Sequence, residues 1–272
     1  MKRKTEYALR SIMPPAAREL QRALAVTRRT GGTRQPATLL RSYHSSRLDL
    51  LPVGYAFDAG LVVDIGANVG AWTAAILAIA PQARVLVVEP SPEPFEQCRR
   101  RFSDLPNVVL ENKALGAMSK RGTLFRTASS HNTSLLRPRE SGNAMYGWGW
   151  DVVDEVTVTV VSLDDLVLTD TVSLLKIDVQ GGERDLLLGA TQVLRRTSAI
   201  LIEMTTVSHY EGDADFSWID NHLKTAGFRL SAFSEFTLSP DQRIISFDAS
   251  YLAADVEDRH SWLSRYGPGL SL

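Results

Sequence analysis

The sequence has very little cysteine, no long hydrophobic run and almost no net charge. Its single cysteine, Cys98, excludes an internal disulfide framework. No apolar stretch approaches the length that crosses a membrane, and no signal-peptide hydrophobic region is present, so we expect a cytoplasmic protein. A formal net charge of −1 provides no global electrostatic steering of a charged partner. Hydrophobic residues form 44% of the 272-residue chain, which is sufficient for a sizeable core.

The sequence also contains few residues that could support thiol catalysis or bind zinc. Cys98 falls on the same face of a predicted helix as Phe95 and Phe102, which favours a place in the core over a catalytic thiol. No spacing of His and Cys residues typical of a zinc site is present.

Charge is distributed unevenly along the chain. Residues 1–50 carry 11 Lys/Arg and 3 Asp/Glu, a formal charge of +8, whereas the other 222 residues carry −9. Helical patterns over residues 5–13 and 16–26 flank Pro14-Pro15 and predict a basic helical N-terminal extension. It is interpreted as a solvated extension, a lid or homodimerisation arm, a peripheral contact with anionic membrane lipid, or a transit peptide. Nucleic acid is not favoured, since no aromatic residues are interleaved with the basic ones.

A strand, a glycine turn and a helix follow one another early in the chain. The apolar run at residues 61–65 is typical of a parallel strand covered on both faces. Gly66 and Gly70 allow a tight turn and a close approach of the backbone to a ligand, and an Ala/Leu-rich helical stretch follows. The next predicted strand, residues 84–88, ends in Glu89. A carboxylate there can accept hydrogen bonds from two ribose hydroxyls, so the segment predicts a nucleotide-like cofactor.

Two cofactors use a layout of this kind. A dinucleotide fingerprint spaces its glycines as G-x-G-x-x-G and holds a pyrophosphate at the helix N-terminus. Here the spacing is Gly66-x-Asn68-x-Gly70, and Asp64 precedes it. A carboxylate beside a pyrophosphate is repulsive, whereas it suits the cationic amino acid end of S-adenosylmethionine, directly or through water. The pattern therefore favours S-adenosylmethionine over a nicotinamide cofactor, and an ordinary strand-turn-helix would not explain both Asp64 and Glu89.

The rest of the chain alternates strands with helices. This alternation predicts an α/β protein with a mainly parallel, doubly wound sheet, forming a domain over residues 51–272 with an acceptor-site insertion at about 116–155. The expected strands are residues 108–112, 156–161, 173–178, 199–203, 228–233 and 243–247; the expected helices are residues 93–102, 183–196 and 216–226; residues 116–151 are expected to be irregular.

Polar residues recur where the predicted strands end. In chain order they are Asp64, Glu89, Asn112, Asp178 and Glu203. In open α/β sheets, ligands bind outside the carboxyl ends of the strands. Each acid alone is commonly a solvated loop residue or a helix cap, but their recurrence at one edge predicts a functional site.

Several short segments together match the pattern of one known family. They are V-D-I-G-A-N-V-G at residues 63–70, V-E-P at 88–90, N-K-A-L-G at 112–116, S-L-D-D-L at 162–166, L-K-I-D-V-Q-G-G-E at 175–183 and L-G-A at 188–190. Over about residues 55–235 the chain resembles the FkbM family of S-adenosylmethionine-dependent methyltransferases. The glycine turn is shared by many methyltransferases, whereas the K-I-D-V-x-G-x-E block is specific to this family.

The resemblance implies a class I methyltransferase (Rossmann-like) fold with a seven-stranded sheet. It also implies O-methylation of a hydroxyl on a sugar, glycolipid, polysaccharide or polyketide. The chain departs from the family at Gln180, where Glu is usual, and at Gly182, where Ala is usual. Position 180 therefore has no carboxylate that could take part in a proton transfer. The resemblance places the cofactor against the motif residues Asp64, Gly66, Ala67, Asn68, Gly70, Glu89, Pro90, Ser91, Asn112, Ala114 and Asp178.

Transfer of a methyl group to an alcohol needs in-line alignment, exclusion of water and help in losing the hydroxyl proton. The candidate bases are Asp178, expected nearest the methyl group, then Glu203 or His209, and finally Glu183. A surface-loop histidine and a helix N-terminal acid are the ordinary alternatives for His209 and Glu183. A Mg²⁺ ion between Asp178 and Glu203 is a less favoured variant, and no metal is predicted.

The acceptor pocket is predicted to come from the insertion. His131, Asn132 and Ser134 offer groups that bond sugar hydroxyls, and aromatic rings stack on a sugar face: Tyr146, Trp148 and Trp150. Aromatic residues that pack on the core are the alternative. The expected partner is a small-molecule, oligosaccharide or glycolipid acceptor. A non-catalytic cofactor-binding scaffold, with the basic extension as its working surface, is retained as a second hypothesis.

Overall fold

A computed structural model describes residues 47–52, 55–140 and 149–256 of the chain. These residues form an eight-stranded sheet and a separate three-stranded sheet. In chain order the strands are β1 Leu61–Ile65, β2 Arg84–Val88, β3 Val108–Glu111, β4 Ala114–Leu115, β5 Lys120–Thr127, β6 Val152–Val161, β7 Val172–Ile177, β8 Thr197–Thr205, β9 Phe228–Phe233, β10 Thr237–Leu238 and β11 Ile244–Ala253. The helices are α1 Ala71–Ile79, α2 Pro92–Phe102, α3 Leu163–Leu166, α4 Glu183–Leu188, α5 Thr191–Leu194 and α6 Phe216–Thr225.

The large sheet is mainly parallel. Its order is β3-β2-β1-β7-β8-β11, with parallel pairing from β3 to β8 and antiparallel pairing of β8 with β11. Strands β9 and β10 pair with successive parts of the other edge of β11, so the eight strands occupy seven positions across the sheet. The predicted class I methyltransferase sheet is thereby confirmed, and β11 extends beyond the predicted strand at residues 243–247.

Both faces of this sheet are buried, which explains the continuous apolar runs of its strands. Successive side chains of a strand point to opposite faces. Accordingly, Val63 and Ile65 of β1 pack in one core cluster with residues of α4, α5 and α6, whereas Val62 packs in a second cluster with residues of α1 and α2. Cys98 of α2 is fully buried in this second cluster beside Phe102, which confirms its predicted place in the core.

The chain reverses its direction of travel across the sheet between β1 and β7. From β1 it proceeds through β2 to β3, and from β7 it proceeds the opposite way to β8. The loops that follow β1 and β7 therefore diverge to opposite faces and leave a crevice between them at the carboxyl ends of the strands. This crevice is where the fold positions a ligand.

The prediction that residues 116–151 are irregular was wrong for their first part. Strand β5 lies there and pairs antiparallel with β6 along most of its length, while β4 pairs parallel with β6. Among the residues of β5, only Leu124 and Thr127 are buried, so the strand lacks the apolar alternation that identifies strands in a sequence. Its extended conformation is stabilised by pairing with β6.

The prediction of one helix over residues 183–196 was also wrong. The segment forms the two short helices α4 and α5, separated at Gly189. A Cβ at Gly189 would lie 2.2 Å from the carbonyl oxygen of Gly116, so the backbone of another loop packs directly against this glycine. The close approach accounts for the interruption of the predicted helix.

Residues 47–50, the end of the predicted extension, pack on the domain. Leu48 is fully buried in a short 3₁₀ turn, and Arg47 forms an ion pair with Asp248 at 2.8 Å. The predicted helices at residues 5–13 and 16–26 lie outside the described residues. Among the helices that are described, none has the length and apolar character needed to cross a bilayer.

Candidate active site

A cleft of about 530 Å³ lies at the carboxyl ends of β1, β2, β7 and β8. Its volume falls in the range of small-molecule sites, roughly 300–1,000 Å³. It brings together most of the predicted site residues: Gly66, Asn68, Glu89, Pro90, Ala114, His131, Asn132, Ser134, Trp150, Asp178, Glu183, Glu203 and His209. Cofactor, catalytic and acceptor candidates therefore share one cavity.

The glycine turn after β1 packs tightly against the end of β7. Gly66 has φ +70°, and a Cβ at this position would lie 1.7 Å from the carbonyl oxygen of Asp178. Its N–H donates to the carbonyl of Val88 at 3.0 Å. Only glycine satisfies both the left-handed conformation and the missing space. The turn thus exposes its backbone to the cleft.

Glu89 closes the β2 side of this turn. Its carboxylate accepts hydrogen bonds from the backbone N–H groups of Asn68 at 2.7 Å and Ser91 at 2.8 Å. Burial raises the pKa of Glu89 to about 7. Each oxygen accepts one of these two bonds and Glu89 lines the cleft, so the carboxylate retains acceptor capacity for ligand hydroxyls, which would favour its charged form.

Asp64 does not line the cleft, whereas the sequence predicts that it contacts the cofactor directly or through water. It is fully buried, accepts a hydrogen bond from Thr73 Oγ1 at 2.6 Å, and lies 3.4 Å from Lys176 Nζ. Its carboxylate thus links α1, through Thr73, to β7, through Lys176.

Four other cofactor candidates also lie behind the cleft surface. Ala67 and Gly70 form the turn, and a Cβ at Gly70 would lie 2.5 Å from the ring of Phe102. Asn112 Nδ2 donates to the carbonyl of Glu89 at 2.9 Å, and the buried Ser91 donates its N–H to the carboxylate of the same residue. These residues shape the loops around the cofactor position.

A hydrogen-bonded cluster occupies the ends of β7 and β8. The side-chain amide of Gln180 donates to Asp178 Oδ1 at 2.8 Å and to Glu203 Oε2 at 3.0 Å. The hydroxyl of Tyr210 lies 3.0 Å from Gln180 Oε1 and 3.1 Å from the carbonyl oxygen of Asn132, and its one hydrogen is shared between these two acceptors. Gln180 is also held in a left-handed conformation with φ +53°. An amide therefore bridges the two carboxylates between which a Mg²⁺ ion was the less favoured variant.

The two carboxylates have different electrostatic surroundings. Asp178 lies 3.2 Å from Lys176 Nζ and forms an ion pair with it. Burial, then the negative charge of Asp178, raises the pKa of Glu203 to about 8. Within the part of the chain that the structure describes, no group of three or more His, Cys, Asp and Glu residues is arranged to hold a metal.

Lys176 itself was not predicted as a site residue. Burial alone lowers its pKa, but the carboxylates of Asp178 and Asp64 outweigh burial and hold the pKa above its ordinary value. Its ammonium also donates to the carbonyl of Gly66 at 3.1 Å. Lys176 thus ties the glycine turn to the β7 end. A charged residue inside a buried-strand run was the available sequence signal.

The remaining two base candidates are buried in the cleft wall. Glu183 accepts from the N–H of Gly181 at 3.2 Å, and burial raises its pKa to about 7. His209 is 4% exposed, so it is not the surface-loop histidine of the alternative interpretation, and burial lowers its pKa. Its ring lies 5.4 Å from that of Trp150.

Residues 129–135 form the wall of the cleft opposite the strand ends. His131 Nδ1 lies 3.3 Å from Asn68 Nδ2, and Ser134 Oγ donates to the carbonyl of Gln180 at 2.6 Å. This segment therefore joins the glycine turn to the carboxylate cluster. Asn132 donates its amide to Gly149, and its carbonyl accepts from Tyr210.

The predicted aromatic acceptor residues are only partly described. Trp150 is 8% exposed and packs beside Tyr210 as well as His209, while it also lines the cleft. It is therefore fixed on the core. Tyr146 and Trp148 lie outside the described residues. Tyr210 was not a predicted site residue, and no motif around it marks its contact with Gln180.

Comparisons with known proteins agree with this arrangement. The methyltransferase FkbM domain family matches residues 64–230. The chain is 25% identical over 163 residues to the 2-O-methyltransferase NoeI of Sinorhizobium fredii (strain NBRC 101917 / NGR234), covering 56% of this chain and 66% of that protein. It is 25% identical over 201 residues to Methyltransferase 1 of Beauveria bassiana (strain ARSEF 2860), covering 69% of this chain and 79% of that protein.

Among solved structures, the chain is similar to a methyltransferase FkbM from Methylobacillus flagellatus KT. The identity is 15% and the TM-score 0.46, over 86% of this chain and 59% of the other. The chain spans just under two thirds of the length of NoeI, the first of the two curated relatives. Because the family match extends over more than half of the chain and includes both the glycine turn and the carboxylate cluster, the protein belongs to the FkbM methyltransferase family.

Proposed function

We propose that this protein is an S-adenosylmethionine-dependent O-methyltransferase that acts on a hydroxyl of a sugar-type acceptor. One observation carries the proposal: a single cleft joins the glycine turn and Glu89 to the Asp178–Gln180–Glu203 cluster. The first group suits a nucleoside, and the second suits a hydroxyl that must lose a proton. Polyketide and glycolipid hydroxyls present the same chemistry and fall within the proposal.

The residues around the turn fit the nucleoside of the methyl donor. The backbone at Gly66 and Asn68 would approach it closely, and the carboxylate of Glu89 would accept the ribose hydroxyls. Bound there, S-adenosylmethionine supplies a methyl group that is already activated by its sulfonium centre. The segment at residues 129–135 covers the cleft and would limit the access of water.

Among the acids, Glu203 is best suited as the general base. A base is most effective when its pKa is close to the working pH, and the pKa of Glu203 is about 8. Both oxygens of Asp178 are already engaged, Oδ2 in the ion pair with Lys176 and Oδ1 in the hydrogen bond from Gln180. In this proposal Asp178 orients the acceptor hydroxyl and Glu203 takes its proton. The sequence alone ranked Asp178 ahead of Glu203 as the candidate base.

The polar character of the cleft supports a hydroxyl acceptor. His131, Asn132 and Ser134 line the wall that faces the carboxylate cluster, with Trp150 beside them. Such a mixture of hydrogen-bonding groups and one aromatic surface suits a sugar ring. The relative NoeI is named a 2-O-methyltransferase, which supports oxygen as the methylated atom.

The proposal is tested by donor binding and by methyl transfer. We expect calorimetry to detect S-adenosylhomocysteine binding, and labelled S-adenosylmethionine to methylate members of a sugar and glycoside panel. Asp178→Asn and Glu203→Gln should each lower kcat by about 100-fold or more, with little change in donor affinity. Asp185→Asn is the matched control, because Asp185 is exposed on α4 and does not line the cleft.

Two results would contradict the proposal. Absence of donor binding would reject the cofactor assignment. Near-normal turnover in both variants would reject the roles of Asp178 and Glu203. Donor binding without transfer to any acceptor would favour the non-catalytic scaffold instead.

A further inference from the structure

A second cavity of about 410 Å³ adjoins the cleft on the side away from the glycine turn. Thr205 and Asp213 line both cavities, so the two are neighbours at the end of β8. Thr205 is the last residue of β8 and follows Glu203 by two positions. A ligand held at the carboxylate cluster and long enough to pass the end of β8 would reach this second cavity.

Arg139 lines the second cavity and is anchored to the loop that follows β8. Its Nε donates to Ser208 Oγ and to the carbonyl of Tyr210, each at 3.0 Å. Its backbone N–H donates to the carbonyl of His209 at 2.9 Å. These bonds hold the guanidinium in place and leave the donors of both terminal nitrogens available.

Arg184 lines the same cavity and is supported by a ring. Its guanidinium carbon lies 4.8 Å from the ring centre of Trp218, and the same indole is stacked on His222 at 4.9 Å. Stacking orients a guanidinium without consuming its hydrogen-bond donors. Neither Arg184 nor Arg139 forms an ion pair with another residue in the described ranges.

The two carboxylates that line the cavity are held by other groups. Asp213 accepts from Ser208 Oγ and from the N–H groups of His209 and Tyr210. Asp215 caps the N-terminus of α6 by accepting from the N–H of Trp218 at 2.9 Å. The cavity therefore presents two guanidinium groups that are not engaged in ion pairs with these carboxylates in the part of the chain that the structure describes.

We propose that this cavity binds an oxyanion substituent of the acceptor, such as a carboxylate, sulfate or phosphate. The inference rests on the proposed function, because the anion is assigned to the molecule whose hydroxyl lies at Glu203. Guanidinium groups bind planar and tetrahedral oxyanions through paired N–H donors, and their prior anchoring reduces the entropy lost on binding. The site thus selects an acidic sugar over a neutral one.

The test compares three probes by NMR titration of the full chain: glucuronate, glucose and inorganic sulfate. We expect glucuronate to bind at least about tenfold more tightly than glucose, since charged hydrogen bonds differ from neutral ones by roughly that factor. Arg184→Met and the double variant Arg139→Ala/Arg184→Met should abolish this preference. Arg84→Ala is the control, because Arg84 lies at the start of β2, where it pairs only with Asp170.

The single variant Arg184→Met leaves Arg139 in place, so it remains informative if the loss of Arg139 unfolds the loop after β8. The thermal unfolding of every variant is measured to detect such a loss of structure. Equal affinity for glucuronate and glucose, or a preference that survives Arg184→Met, would overturn the proposal. Sulfate that binds as tightly as glucuronate would overturn the assignment to the acceptor and indicate a free-anion site. S-adenosylhomocysteine binding is measured in parallel: its absence alone would count against the proposed function, while a probe preference would still support the anion site.

Discussion

Single residues account for the chemistry of the cleft, and Gln180 is central among them. Its amide donates to both Asp178 and Glu203, where a carboxylate would add a third negative charge. The hydrogen bond from Gln180 lowers the pKa of Glu203 and partly offsets burial and the charge of Asp178, which raise it to about 8. Gln180 is thus a positioning residue that adjusts the protonation of Glu203.

The pH profile of methyl transfer follows from this arrangement. A base acts in its ionised form, so activity should rise with pH through about 8, the pKa of Glu203. Gln180→Glu should move this limb upward by about one pH unit through like-charge repulsion. Gln180→Met, which removes the bonds without adding charge, should cause a smaller upward shift. A profile that is unchanged in Gln180→Glu would exclude Glu203 as the base.

Lys176 is predicted to be important for stability as well as for the site. Lys176→Met leaves the buried Asp64 without its cation, and breaking a buried pair costs about 3–5 kcal/mol. Lys113→Met is the control, since Lys113 pairs with the partly exposed Glu111 and the loss should be below about 1 kcal/mol. Urea unfolding measures both, and equal losses would contradict the role assigned to Lys176.

At the scale of elements, the strands were predictable and their connections were less so. The strands β1, β2 and β7 are mostly apolar because both faces of the sheet are covered there, so their sequences identify them directly. Strand β5 buries only part of one face, and the helix after β7 is interrupted by the carbonyl of Gly116 at Gly189. Neither feature depends on local sequence preference. Both arise from segments that are distant in the chain.

The contact between the β1–α1 turn and the end of β7 gives an element-scale prediction. Gly66→Ala would place a Cβ 1.7 Å from the carbonyl of Asp178 at φ +70°, so the two turns must separate. We expect donor binding to be lost and unfolding free energy to fall by several kcal/mol. Gly227→Ala is the matched control: it also has positive φ, +95°, but meets nothing within 4 Å, and should cost about 1 kcal/mol. Similar losses in calorimetry and urea unfolding would reject the contact as the cause.

At the scale of the whole molecule, positive and negative charge are concentrated in different parts of the sequence. Residues 1–50 carry +8 and the remainder carries −9. Glu89, Asp178, Glu183 and Glu203 of the cleft all belong to the acidic remainder of the sequence. The membrane-contact hypothesis for the extension therefore concerns a segment whose charge is opposite to that of the domain.

That hypothesis predicts binding to anionic but not neutral vesicles. The full chain should co-sediment with phosphatidylglycerol vesicles and dissociate in high salt, because each basic residue near an anionic surface contributes about 1 kcal/mol that salt screens. Deleting residues 1–46 should abolish the effect, and neutral phosphatidylcholine vesicles are the control. If the deletion does not change the sedimentation, the membrane-contact hypothesis is rejected. The extension would then be a solvated segment or a dimerisation arm, and analytical ultracentrifugation would distinguish these two.

The sequence by itself determined the sheet, the glycine turn and the acids at the strand ends. These depend on short-range rules: apolar runs for covered strands, glycine for left-handed turns, and the meeting of parallel strand ends at one edge. Only the tertiary structure decided which acids face the ligand. It buried Asp64 against Lys176, joined Asp178 to Glu203 through Gln180, and brought Arg139 and Arg184 to the lining of one cavity. Those outcomes depend on burial and on partners from distant segments, because a side chain acquires its electrostatic environment only when the chain has folded around it.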